Sequence, residues 1–203
     1  EVGVVRIPYS IADRALTEEN PDVEAFFDLL ALVDKRFDAA TIGSLLDVPA
    51  VRRRLRFSDE DVDAIHHFIR EAGIRWGIDA LAKAELGVPA TPQHTWRFGM
   101  DRLLLGYAMP GHNEIMVEGI LPYDHIEGSR ALVLGKFYSF VRDLEAWIVE
   151  ARHPHGHDFW AARLEQLLER FFAVEPGEES PWIPLREAIR TLPDRCRQAD
   201  YSS

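Results

Sequence analysis

Three histidines alternate in Arg152-His153-Pro154-His155-Gly156-His157-Asp158. Neutral imidazoles that converge beside a carboxylate make a donor set for a divalent metal. Pro154 and Gly156 also give the stretch the character of a solvated turn between helices, and histidine runs specify a metal only weakly. The turn is the expected reading, and no metal ligand is assigned. His66 and His67 are adjacent on a helical stretch, so their rings point in different directions and do not readily share one ion. Arg52, Arg53, Arg54 and Arg56 form the basic cluster of the chain. Four guanidinium groups this close are a candidate contact for DNA phosphates, or for acidic groups of a partner or of the chain itself. Trp76 and Trp96 each neighbour an arginine, Arg75 and Arg97. Such pairs can stack on unpaired bases. Both tryptophans border apolar runs at the ends of elements, which favours Arg75, Trp76, Trp96 and Arg97 as structural anchors.

No motif for group transfer or hydrolysis accompanies them. The glycines are scattered, none opens a phosphate-cradling loop ending in Lys-Ser or Lys-Thr, and Gly-x-Ser-x-Gly is absent. The single cysteine, Cys196, cannot form an internal disulfide, fits a reducing compartment and is a poor nucleophile candidate. Asp and Glu fall mainly on helix starts and exposed faces, where capping and solvation account for them. No catalytic, cofactor-binding or metal-binding residue is therefore expected, and the chain is not expected to be an enzyme by itself. The formal net charge of −11 bears on partners. A module that holds DNA alone carries a basic footprint, whereas this field repels phosphates. Protein is the expected partner, with single-stranded DNA binding through the Arg52–Arg56 cluster as the competing reading.

The elements that must position these residues are mostly helices. Apolar residues make up 47% of the 203 and charged residues 28%, enough to bury a real core. No apolar run reaches the length of a membrane helix, so no membrane partner is expected. The opening residues show no leader pattern, and a chain starting on Glu1 reads as a piece of a longer protein. Val4 to Ile11 is the strand candidate, with Pro8 restricting it to an edge. Asn20 before Pro21 opens a helix carrying Val23, Phe26, Phe27 and Leu30. A short helix through Ile42 and Leu46 precedes another starting at Pro49. Ser58 with Asp59-Glu60-Asp61 caps a helix presenting Val62, Ile65 and Ile69, which stops near Gly73. Thr95 caps the helix of Trp96 and Leu103, and Met109 to Asn113 form a loop. Leu134, Phe137, Val141, Leu144 and Ile148 recur three and four apart, and Val133, Phe140 and Trp147 widen that stripe into a helix packed on two sides. Trp160 to Phe171 and Trp182 to Leu192 repeat the pattern, separated by an acidic loop.

These segments, taken in order, resemble the RecC family. Ile7-Pro8-Tyr9-Ser10 with Ala12-Asp13-Arg14 comes first, then Leu45-Leu46-Asp47-Val48-Pro49 and the block from Ala72 through Trp76 to Asp79. The strongest block runs from Leu86 through Pro92-Gln93-His94-Thr95-Trp96-Arg97-Phe98-Gly99 and on through Arg102 to Met109, with Leu121-Pro122-Tyr123-Asp124 after it. From about Ala151 onward only the helical pattern is shared, and the three-histidine stretch lies outside the family pattern.

The resemblance implies a mainly α fold: a helical bundle of the helicase-like 2B-type insertion kind, with one short N-terminal strand. Residues 1–14 are then a remnant of a core-sheet strand, 15–125 a helical subdomain, and 126–203 a C-terminal helical hairpin or bundle packing on it. It further implies a central, non-catalytic scaffold segment of the gamma subunit of exodeoxyribonuclease V, the ATP-dependent helicase–exonuclease RecBCD, which processes double-strand DNA ends for recombinational repair. RecB-like and RecD-like subunits are the expected partners, with DNA bound only in the whole complex. No cofactor and a cytoplasmic location are expected.

Overall fold

Side chains that accept otherwise unpaired amides decide where the helices begin. In the computed structural model, which describes residues 20–111, 115–174, 177 and 182–199, Asn20 accepts from the amides of Asp22 and Val23 and starts α1 (Pro21–Ala31). Asp38 does the same for Thr41 at the head of α2 (Ala39–Asp47). Pro49, which needs no partner for an amide, opens the short α3 (Pro49–Leu55). Ser58 and Asp61 form a reciprocal capping box on α4 (Asp59–Glu71), and Gly73, at φ 72°, takes the left-handed position just past its end. Asp79 caps α5 (Ala80–Glu85) and Thr95 caps α6 (Trp96–Ala108). Three longer helices follow: α7 (Ser129–Ala151), α8 (His157–Phe171) and α9 (Trp182–Gln198).

The described residues are thus mainly helical and contain no sheet. Their one β-type pairing is an isolated bridge between Val117 and Ile120. The strand expected over residues 4–11 lies outside the described residues. No described helix is long and apolar enough to cross a membrane.

The 23-residue α7 is the axis of the core. Its buried Val133, Leu134, Phe137, Phe140, Val141, Leu144, Trp147 and Ile148 cover far more than one stripe. Such a helix must be enclosed on two sides. It packs against α4 and α6, and α8 reaches it through Phe171, whose ring meets Phe140 edge-on at 5.9 Å. On α1, the Leu29 carbonyl accepts from Trp147 Nε1 at 3.3 Å. Helices α8 and α9 pack on each other, and Phe172 after α8 meets both Phe26 of α1 and Trp182 of α9. A single apolar cluster runs from Val23 to Ile189.

Helix α6 approaches its neighbours closely because it carries glycine seven residues apart on one face. A Cβ at Gly99 would lie 2.1 Å from Ile74 Cγ1, and one at Gly106 would lie 1.6 Å from the Tyr123 carbonyl oxygen. With Gly106 in place, the 121–127 segment lies directly on the helix, and Tyr123 donates its amide to the Arg102 carbonyl at 2.9 Å.

Candidate functional site

The loop 73–79 is held from both sides by backbone hydrogen bonds. Ala39 donates to the Arg75 carbonyl at 2.8 Å, and Gly77 donates to the Arg36 carbonyl at 2.8 Å. From the other side, the His94 carbonyl accepts from Arg75 and Trp76. The first amides of α6 close the node: Trp96 donates to Gly77, Arg97 to Ile78 and Phe98 to the Thr95 hydroxyl. A helix start with its amides paired in this way has little left for an anion.

Four sequence-selected residues meet at this node in different ways. Trp96 is fully buried, its ring 5.5 Å from Phe37 and 6.0 Å from Phe137, and its indole N–H donates to the Phe37 carbonyl at 2.8 Å. Trp76 is half-buried beneath two cations, Lys83 at 4.9 Å and the Arg36 guanidinium at 5.7 Å from the ring centre. Arg97 is exposed and pairs with Asp79 at 3.7 Å. The Arg75 side chain is exposed, and its bonds at the node come from its backbone.

Two residues not singled out from the sequence do much of the joining. Lys83 is buried, and its ammonium donates to the Gln93 carbonyl at 2.6 Å. Arg102 donates to the carbonyls of Glu71, Ala72 and Leu121, so one guanidinium satisfies the end of α4 and fixes the segment lying on α6. Both carried lone cationic signals in the sequence, and neither had a local partner to reveal it.

The basic cluster is largely engaged within the fold. Arg52 forms an ion pair with Asp59, the first residue of α4. Arg53 donates to the Ala173 carbonyl at 3.5 Å and Arg54 to the Arg170 carbonyl at 3.3 Å. Both therefore face the C-terminal end of α8, where free carbonyls and the helix dipole favour cations. Arg56 takes the left-handed position that ends α3, at φ 55°, and its carbonyl accepts from Lys136 at 2.8 Å. Its guanidinium is exposed. A phosphate-reading stripe needs several free cations on one surface, so single-stranded DNA binding through this cluster is not favoured.

The histidines diverge. His155 stacks on Phe159 at 3.9 Å, and its Nε2 lies 3.2 Å from the Glu150 carbonyl oxygen. His66 pairs with Asp47 at 3.1 Å, while its neighbour His67 reaches the Tyr123 hydroxyl at 3.0 Å. Among the described residues no group of three or more His, Cys, Asp or Glu is placed to hold a metal ion.

Perturbed carboxyls flank the node. Burial raises Glu145 above the usual carboxylate range, an effect opposed by Arg142 and Arg97 and reinforced by Asp79. Glu145 lies with these residues and with Glu150 and Arg163 around a cleft of about 640 Å³ between α7 and the 78–79 segment. Its cations and carboxylates are matched three to three, so the cleft has no charge preference for a ligand. Burial also raises Asp101, and Arg97 opposes it.

Comparison with known proteins identifies the family. The model of the family described as the RecBCD enzyme subunit RecC fourth domain matches residues 19–203. The RecBCD enzyme subunit RecC of Escherichia coli (strain K12) is 37% identical over 174 residues, covering 86% of this chain and 15% of that relative. The RecC subunit of Mycolicibacterium smegmatis is 40% identical over 134 residues, 66% of this chain and 12% of the relative. That of Haemophilus influenzae is 27% identical over 199 residues, 98% of this chain and 17% of the relative. The chain therefore spans less than a fifth of these relatives, and it belongs to the RecC fourth-domain family.

Proposed function

We propose that this chain is a non-catalytic scaffold segment of a RecC-type subunit, within an ATP-dependent helicase–exonuclease that processes double-strand DNA ends for recombinational repair. The observation that carries this reading is where its charged side chains go. Arg52, Arg53, Arg54, Arg97 and Arg102 hold helix ends and loops together rather than converging on an open site. Membership of the RecC fourth-domain family supports this reading, in which RecB-like and RecD-like subunits are the partners and carry the motor and nuclease chemistry of a cytoplasmic assembly.

Within that subunit the helices serve as a 2B-type insertion of a helicase-like fold, with residues 1–14 the strand from which it leaves the core sheet. The part from 126 to 203 serves as a helical hairpin or bundle packing on the part before it. Arg75, Trp76, Trp96 and Arg97 anchor the region where these helices meet.

Co-expression tests the proposal. The polypeptide carrying this chain is expected to co-purify with RecB-like and RecD-like subunits as a complex that degrades a labelled duplex end with ATP and magnesium. The isolated chain is expected to yield no products. Degradation by the isolated chain, or failure of the subunits to associate, would overturn the reading.

A further inference from the structure

The outer face of α6 is only partly covered beside two carboxylates, with Phe98, Leu104 and Leu105 half-buried along it. Leu81, Phe98, Leu104, Leu105 and Ile120 wall a groove between α5, α6 and the 117–120 turn. It comprises a cavity of about 500 Å³ and an adjoining one of about 440 Å³, which share Asp101, Glu118 and Ile120. The groove follows α6 from Phe98 to Ala108, roughly 15 Å at the rise of an α-helix, or nearly three turns of a partner helix. Leu81, at one end, is 72% exposed. Apolar surface gathered in this way is what a soluble fold covers with a partner.

The charges at the groove are predominantly negative. Asp79, Asp101 and Glu118 line it against a single lining cation, Arg97, which is paired with Asp79 at 3.7 Å. Among the described residues the carboxylates of Asp101 and Glu118 form no ion pair and accept no hydrogen bond. Glu118 is held at φ 50° in a turn closed by two Val117–Ile120 backbone hydrogen bonds, so its position beside the groove is fixed by the backbone. Burial disfavours the charge on Asp101 and Arg97 opposes that effect; an incoming cation would oppose it further.

We propose that this groove docks an amphipathic segment of a partner polypeptide, one that sets Lys or Arg among apolar side chains. The apolar side chains fill the space over Leu104 and Leu105, and the cation pairs with Asp101 and Glu118. The proposal rests on the assembly reading above and adds to it the chemistry of the contact.

A photocrosslinker tests it in the assembled complex. Benzoylphenylalanine is placed at Leu105, or at the more exposed Leu81 where the first position disturbs folding, and crosslinked peptides are identified by mass spectrometry. The expected product joins the groove to a partner segment with Lys or Arg among apolar residues. Its yield should fall several-fold in D101N/E118Q and stay unchanged in D28N/D34N, an equal loss of charge at α1 and just after it. Crosslinking to residues 1–19, to any other part of the same polypeptide, to a second copy or to an acidic segment overturns the proposal, as does a yield indifferent to D101N/E118Q. Should no complex co-purify, the assembly reading fails on its own, and the groove is tested on the chain by fluorescence anisotropy. A Leu/Lys amphipathic peptide is then expected to bind about tenfold tighter than to D101N/E118Q. Equal binding of a Leu/Glu counterpart sinks the docking proposal.

Discussion

The indole N–H of Trp96 donates to the carbonyl of Phe37 at 2.8 Å, joining residues 59 positions apart. Phe37 sits at φ 54°, a left-handed conformation that residues with side chains rarely adopt, so the bond and the packed rings together hold a strained turn. Replacing Trp96 by Ala removes a fully buried ring and orphans that carbonyl. We expect a loss of about 3–5 kcal/mol in chemical denaturation. Trp96→Phe keeps most of the packing and should cost about 1–3 kcal/mol. A loss below about 1 kcal/mol for Trp96→Ala would show that the ring is not the anchor proposed.

Two glycines in neighbouring helices should respond in opposite directions. Gly106→Ala puts a methyl 1.6 Å from the Tyr123 carbonyl oxygen, and a backbone atom cannot rotate aside. The 121–127 segment must lift from α6, and we expect a loss of at least about 2 kcal/mol, in the range of overpacked cores. Gly135 is exposed on α7, and a methyl at that position would meet nothing within 4 Å, so Gly135→Ala should stabilise by about 0.5–1 kcal/mol through helix propensity. Thermal melts of the two variants, read against the parent chain, check both signs.

Glu145 should impose a pH dependence of known sign. Its folded pKa is raised by burial, so the folded chain holds a proton that the unfolded chain has already released. Stability from this group is full below the ordinary carboxylate range and is lost as pH rises through that range to the raised value. Glu145→Gln keeps the shape and removes the titration. Relative to the parent, the variant's denaturation midpoint is expected to rise from acid to neutral pH, and parallel curves would remove Glu145 as the cause.

The arginine cluster separates packing from DNA binding. Arg53→Gln with Arg54→Gln strips two donors from the end of α8, and we expect about 1–2 kcal/mol of destabilisation. Affinity for single-stranded DNA, titrated at low salt, should be negligible in the parent chain and unchanged in the variant. A steep, salt-sensitive affinity lost with these arginines would instead make them phosphate contacts.

Local signals were legible in the sequence, and distant ones were not. Asn20, Ser58 and Thr95 act through amides two or three residues away, so each marks its helix start in the sequence alone, and each caps the helix expected. The wide stripe of α7 likewise announces a helix enclosed on two sides. Helix α5 escaped notice because its six residues are too few to show a period. Lys83 and Arg102 escaped for another reason. A lone cation in sequence reads as solvated surface, and the partners of Arg102 lie about 20 to 30 residues away, where only the folded chain brings them together. The arginine cluster was visible as a run of charge, but its engagement with carbonyls near residue 170 depends on contacts about 120 residues apart.

Those same contacts set an order on synthesis. The Ala50 carbonyl takes the amide of Ala173 at 2.9 Å, beside the arginines that reach the end of α8. A two-turn helix such as α3 is marginal alone; it packs on α2 just before it, but its contact with α8 forms only after more than a hundred further residues have been made. Until α8 is made, the side of α3 that it covers is left open, so the last-made third of the chain completes the packing of the first.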